Sequence, residues 1–232
     1  MPETKFRKIN NLIGWLLFSA ALVTYGLTVE PTASYWDAGE YISTSAKLQV
    51  GHPPGAPFFQ MMGAVFSLFA SNNESIAIAV NFLSVVSSAF VILFLFWSTT
   101  LILKKISKKN DFTNDTNILL SSSIGALAFT FSDSFWFNAV ETEVYALAML
   151  FLSATFWCGL RWEKDFNNKR GDKWLLLICF LIGLSFGVHF MAILTIPAIG
   201  MIYFFKKYEK ITIKNFVLAN IISVSILLFI FK

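Results

Sequence analysis

The stretch that decides the fold is Ile76-Ala-Ile-Ala-Val-Asn-Phe-Leu-Ser-Val-Val-Ser-Ser-Ala-Phe-Val-Ile-Leu-Phe-Leu-Phe-Trp-Ser-Thr-Thr-Leu-Ile-Leu103, with Lys104, Lys105, Lys108 and Lys109 close behind it. It carries no charge over about 42 Å of helix, more than the ~30 Å hydrocarbon core of a bilayer. Such a run reads as a membrane span, and the lysines at its end read as a cytoplasmic anchor. Six other apolar runs flank it, at 12–29, 118–132, 144–160, 174–188, 190–205 and 216–231. The first follows Lys5, Arg7 and Lys8 and lacks an obvious small-residue cleavage site, so it reads as a retained span rather than a leader.

Composition agrees. Of 232 residues, 56% are hydrophobic and 14% charged, against about 25% charged in an average soluble domain. Twenty-six Phe and seven Trp make that apolar content bulky. Disordered, fibrous and disulfide-stapled secreted classes are excluded. The net charge of +4 does not call for nucleic acid, because a membrane protein keeps its cations on cytoplasmic loops. Cys158 and Cys179 lie in apolar runs without metal-like spacing and read as inert fillers.

Charge then orders the runs. Sixteen of the 18 Lys and Arg fall in four segments: the N-terminus, 104–109, 161–173 and 206–214. Placing all four in the cytoplasm gives about seven spans, with the N-terminus inside and the C-terminus outside. This topology needs residues 56–70, too short to cross, to lie as an interfacial or re-entrant helix beside another at about 37–50. It also needs 174–205 to form a hairpin of two short helices turning near Gly187, Val188 and His189. The expected fold is an all-α, polytopic membrane bundle in which 1–232 is one module.

The same topology sorts the acids. Glu30, Asp37, Glu40, Glu74, Asp133, Glu141 and Glu143 stand on the outer side with Lys47 as the one cation near them, and His52 and His189 join them there. Carboxylates without cations at a membrane rim are costly, and such groups are usually functional. Asp37 and Glu40 share a face if a helix starts at this point, and an ionised Asp37 can act as general base toward a hydroxyl. Tyr35 and Trp36 can stack on a sugar ring. A capped interfacial helix with Trp36 in the aromatic belt explains the same residues without chemistry.

His52-Pro-Pro-Gly55 is a sharp turn in which His52 is either a structural donor or a ligand to a substrate oxygen. Glu141 and Tyr145 are expected to share a helical face, with Glu143 pointing elsewhere. Opposite Asp37 and Glu40, these acids make a cleft able to bind sugar hydroxyls or a divalent cation. Gly183-Leu-Ser-Phe-Gly187 reads as a close-packing motif. Apart from this cleft there is no Walker loop and no H-E-x-x-H.

Four stretches carry a resemblance. Tyr35-Trp-Asp-Ala-Gly-Glu-Tyr41, Gly51-His-Pro-Pro-Gly-Ala-Pro57, Glu141-Thr-Glu-Val-Tyr-Ala-Leu147 and Gly187-Val-His189 resemble the bacterial protein O-mannosyltransferase-like membrane proteins of the GT-C superfamily. The resemblance implies the N-terminal seven-span module of a longer, inverting glycosyltransferase. In it, a polyprenyl-phosphate-linked, mannose-like sugar passes to a Ser or Thr hydroxyl of a protein at the outer face of the cytoplasmic membrane. Asp37 would be the catalytic base. Glu40, Glu141, Glu143, Tyr35, Trp36 and Tyr145 would bind acceptor or sugar, and His52, His189 and Lys47 would lie toward the phosphate. No cofactor and no metal ligand is implied as required, although a divalent cation could be accommodated. A non-catalytic solute-binding or transporter-like protein is the alternative, but transporters place their ionisable groups at mid-membrane rather than at one rim.

Overall fold

The decisive run forms a single helix, and the other helices gather around it. In the computed structural model, which describes residues 1–107, 112–168, 171–208 and 210–230, it is α4 (Ile76–Ile106), entered through a 3-10 turn at Asn73–Ser75. Asn72 caps that turn reciprocally with Ser75, so the chain enters the bundle with its first donors satisfied. A helix apolar on all sides must be covered on most of them. Accordingly α1 (Glu3–Leu27), α5 (Phe112–Thr130) and α7 (Val144–Asp165) all pack against α4. Ser84, Ser87, Ser88 and Ala89 are buried on α4, where small side chains allow neighbouring helices close approach.

Three apolar clusters follow from this arrangement. One joins α1, α4 and α5 with the short α6 (Asp133–Val140), through Tyr25, Ile92, Phe96 and Phe135. A second joins α4 and α7 with two short helices of the first loop, α2 (Ala38–Lys47) and α3 (Pro57–Ser67), through Tyr41, Phe59 and Phe151. The third joins α7 to α8 (Gly171–Ser185) and α9 (Thr195–Lys207) through Cys158, Ile178 and Ile199. α10 (Ile213–Ile230) packs chiefly on α9.

Each of the seven apolar runs expected as spans is helical over most of its described length. Four stretches are long and apolar enough to cross a bilayer: Glu3–Leu27, Asn73–Ile106, Val144–Asp165 and Phe190–Lys207. The pair α5 and α6, bent by 64°, makes a fifth if it is one span. α8, at 15 residues, and α10 are shorter apolar helices. The helices α2 and α3 fall where the two short helices of the first loop were expected. The hairpin of α8 and α9 turns through Phe186–His189 and a 3-10 segment, Phe190–Leu194. Lys108, Lys109, Asp111, Lys169, Arg170, Glu209, Phe231 and Lys232 lie outside the described residues.

Two local expectations change. Residues 133–140, read as loop, are the helix α6, because Asp133 in its first turn favours a helix start and Phe135 and Ala139 have a core to enter. Glu141 follows α6 in extended conformation, as does Glu143 before α7. Glu141 therefore shares no helical face with Tyr145.

One end of the bundle is tied by ion pairs. Asp115 is buried against Lys104 and the N-terminal amine, Lys105 meets Glu163, and Lys164 meets Glu3 at 3.1 Å. The other end is tied by a neutral side chain, Asn81 on α4. Its amide donates to the carbonyls of Glu30 (2.6 Å) and Thr32 (3.0 Å), and its oxygen accepts the hydroxyl of Thr142. Replacing Asn81 with Leu keeps the branched shape but leaves these buried partners unpaired. Asn81→Leu is expected to cost about 1–3 kcal/mol of stability, read as a lowered thermal unfolding midpoint in detergent; an unchanged midpoint would show that the tie is dispensable.

Candidate active site

The first loop approaches the bundle through Glu30, whose N–H donates to the Val140 carbonyl at 2.9 Å, and is held there by Asn81. The Glu30 carboxylate is used locally, accepting from the N–H and hydroxyl of Thr32. Trp36 then takes a left-handed backbone conformation, φ 61°, which is uncommon for a bulky residue and marks a constrained turn. Tyr35 and Trp36 are 83% and 87% exposed, so both rings stand free of the protein. Asp37 follows as the residue that opens α2: its carbonyl accepts the Tyr41 N–H at 2.9 Å, while its side chain caps nothing. That carboxylate, 53% exposed, is left to face outward.

One turn along α2, Glu40 closes on the His52 turn. One carboxylate oxygen accepts the His52 N–H at 2.6 Å, and the other lies 3.1 Å from Nδ1 of the imidazole. Nε2 of the same ring is 3.9 Å from Asp37. His52 thus stands between the two acids. These hydrogen bonds from His52 hold the Glu40 carboxyl below the usual carboxylate range. Gly51 makes the clamp possible, since a Cβ there would lie 2.8 Å from the Gln60 amide and 3.1 Å from Glu40. Gly55, at φ 80°, completes the turn with its N–H donating to the His52 carbonyl. Gln60 donates to Thr44 at 3.1 Å, and Gly63 brings α3 against Ser45, so α2 and α3 form one unit under the turn.

Glu141 and Glu143 form the buried wall. Both are nearly inaccessible, Glu143 at 7%. Burial raises the Glu141 carboxyl. Burial, then the charges of Asp37 and Glu141, push Glu143 up to about 7, although it accepts the backbone N–H groups of Asp37 and Val144. Tyr41, which the sequence reading did not single out, lies between these groups. Its ring is 6.0 Å from that of His52, and burial together with the charge of Glu143 pushes its phenol up to about 12. A tyrosine one position after Glu40 on a short helix gives no separate signal in sequence.

The hairpin turn supplies the last group. The ring of His189 is 5.6 Å from that of Tyr145, and burial lowers its imidazole from the ordinary value. Among the described residues neither a hydrogen bond nor an ion pair joins His189 to Asp37, Glu40 or His52. Lys47 is exposed in the last turn of α2, about 15 Å along the helix axis from Asp37. The structure therefore assembles Asp37, Glu40, His52, Tyr41 and Glu143, sets Tyr145 and His189 beside them, and leaves Lys47 apart. Asp37, Glu40 and His52 each offer a ligand atom within 4.8 Å of the others, which suits a cation with oxygen and nitrogen donors.

The model of the Protein O-mannosyl-transferase TMEM260 N-terminal domain matches residues 37–212, which begin at Asp37 and take in Glu40, Tyr41, His52, Glu143, Tyr145 and His189. The chain is 26% identical to the Protein O-mannosyl-transferase tmem260 of Dictyostelium discoideum over 93% of its own length and 27% of that protein's. It is 27% identical to the Protein O-mannosyl-transferase TMEM260 of Mus musculus, over 73% of its own length and 22% of that protein's. It thus spans about a quarter of the length of the curated relatives it matches. No solved structure matches it. With three quarters of its residues inside that match, the chain belongs to the TMEM260 N-terminal domain family, a family of helical membrane proteins named as protein O-mannosyl-transferases.

Proposed function

We propose that this module carries the catalytic rim of a protein O-mannosyltransferase. It transfers a mannose-like hexose from a polyprenyl phosphate to a Ser or Thr hydroxyl of a protein. The carrying observation is the uncapped, half-exposed Asp37 carboxylate at the head of α2, beside His52. In this reading the site faces outward from the cytoplasmic membrane and the ion-paired end, with the N-terminus, faces the cytoplasm. The matched family and the segregation of the acids from Lys104, Lys105 and Lys164 support it.

The step needs one proton acceptor. An Asp37 oxygen takes the proton of the acceptor hydroxyl as that oxygen bonds to the anomeric carbon. The bond from the anomeric carbon to the phosphate oxygen breaks on the opposite face, and its electron pair leaves with the phosphate, so configuration inverts. Glu40 holds His52 beside Asp37 and fixes the ring that faces the reacting groups. Glu143, buried and pushed up to about 7, is largely protonated below neutral pH and can then donate to a sugar or acceptor oxygen. Asp37 and Glu143 divide the work of base and donor. Tyr35 and Trp36 offer exposed ring faces to the sugar. No metal is required for this step, and a divalent cation held by Asp37, Glu40 and His52 is compatible with the donor set.

Membranes containing the protein, supplied with polyprenyl-phosphate mannose and a Ser/Thr acceptor, are expected to transfer sugar. Asp37→Asn should lower the rate by about 10²–10⁴-fold with thermal unfolding unchanged; full activity in that variant would remove Asp37 from the mechanism. A pH test addresses Glu143. Its carboxyl is raised on folding, so its contribution to stability is complete below the unfolded value of 4.5 and is lost as pH rises through about 7. Glu143→Gln should therefore gain stability relative to the parent across that interval, read as the difference between the two unfolding midpoints. Parallel curves would contradict a buried, proton-holding Glu143.

A further inference from the structure

Away from the acidic rim, an apolar groove of about 770 Å³ runs between α8 and α10 with α9 as its floor. Its walls include Ile178 and Ile182 from α8, Ile199 from α9, and Leu218, Ala219 and Ile222 from α10. Along α9 it extends from Ile196 to Tyr208, about 18 Å of helix. Gly183 leaves one wall open, since a Cβ there would meet nothing within 4 Å. Gly200 has the opposite part, letting Ser223 approach so that α10 seats on α9 and closes one side.

The two ends of the groove differ. Phe186 and Ile196 finish one end. At the other are Tyr208 and Asn215, and around them in the chain Lys206 and Lys207 close α9 while Lys210 and Lys214 lead into α10. Elsewhere at this end of the bundle, Lys104, Lys105 and Lys164 are matched by Asp115, Glu163 and Glu3. Among the described residues no carboxylate lies within ion-pair distance of Lys206, Lys207, Lys210 or Lys214. Lys206 instead stands over the Phe166 ring at 5.9 Å. An apolar trough as long as much of a fatty-acyl chain, ending at a segment with four cations and one acid, Glu209, in its sequence, complements one kind of molecule already present in a bilayer.

We propose that the groove holds a tail of an anionic phospholipid whose phosphate lies among Lys206, Lys207, Lys210 and Lys214. A zwitterionic lipid brings its own ammonium group to the same cations and loses the electrostatic advantage. Such a lipid takes no part in sugar transfer, so the groove and the rim stand or fall separately.

Native mass spectrometry of the detergent-purified chain, titrated with phosphatidylglycerol or with phosphatidylcholine of the same tails, tests the site. Phosphatidylglycerol should bind at least about fivefold more tightly, the effect of one lysine beside an anionic lipid. The triple variant Lys206→Gln, Lys207→Gln, Lys214→Gln should lose that preference, and Ala219→Trp should reduce retention of both lipids. Cys179 lines the groove and is exposed whereas Cys158 is buried, so alkylation by N-ethylmaleimide reports occupancy even if the tryptophan variant misfolds. Phosphatidylglycerol should slow that alkylation severalfold. Equal binding of the two lipids, a preference that survives the triple substitution, or alkylation indifferent to phosphatidylglycerol would overturn the proposal. So would protection of Cys179 that rises with protein concentration in lipid-free detergent, which would give the groove to a second copy of the chain.

Discussion

A buried amide inside an apolar helix must find partners, because hydrocarbon offers none and an unpaired polar group there costs free energy. Asn81 meets that demand by gathering three groups from two separate segments: the carbonyls of Glu30 and Thr32, and the hydroxyl of Thr142. The first segment leads to Asp37 and the second to Glu143. One side chain on the central helix therefore ties together the segments that carry Asp37 and Glu143. The approach of Glu30 to the Val140 carbonyl reinforces the same junction. Geometry at the rim is inherited from α4 rather than built by the loops alone.

The two ends of the bundle solve different electrostatic problems. At the end bearing the N-terminus, Asp115 is buried beside Lys104 and the terminal amine, and Glu163 sits against Lys105. Charges there are paired, and the result is structural. At the rim no lysine or arginine is paired with Asp37, Glu40 or Glu143 among the described residues, and the acids are managed by other means. Glu40 takes two hydrogen bonds from His52, Glu143 takes backbone N–H groups and is raised by burial, and Asp37 remains open to solvent. Acids held apart in protonation by their surroundings are what a site needs if one is to accept a proton while another keeps its own.

Much of this was legible in the chain. The long run ending in Lys104 and Lys105 identified α4, and the segregation of cations from Asp37, Glu40 and Glu143 identified the two ends. The His52-Pro-Pro-Gly turn and the short helices on either side of it were visible because proline and glycine punctuate locally. What escaped was non-local. Nothing near Asn81 announces partners 51, 49 and 61 positions away. The extended conformation of Glu141, and with it the loss of the expected pairing with Tyr145, depends on α6 docking into the core through Phe135 and Ala139. Tyr41 could be recognised as part of the site only once α2 had been laid against α3 and α4. The groove along α9 was equally hidden, since its walls come from three helices whose apolar residues look alike in sequence.

The turn between α8 and α9 has a mechanical role beyond connecting two helices. The Gly187 carbonyl accepts both the Phe58 and Phe59 N–H groups, at 2.8 and 3.1 Å, and a Cβ at Gly187 would lie 2.6 Å from that of Phe58. The start of α3, just after the His52 turn, is thereby stapled to the residue two positions before His189. The two imidazoles are carried on one coupled piece of backbone. If the rim widens to admit a bulky acceptor, both must travel as a unit, and the hinge for that movement has to lie elsewhere.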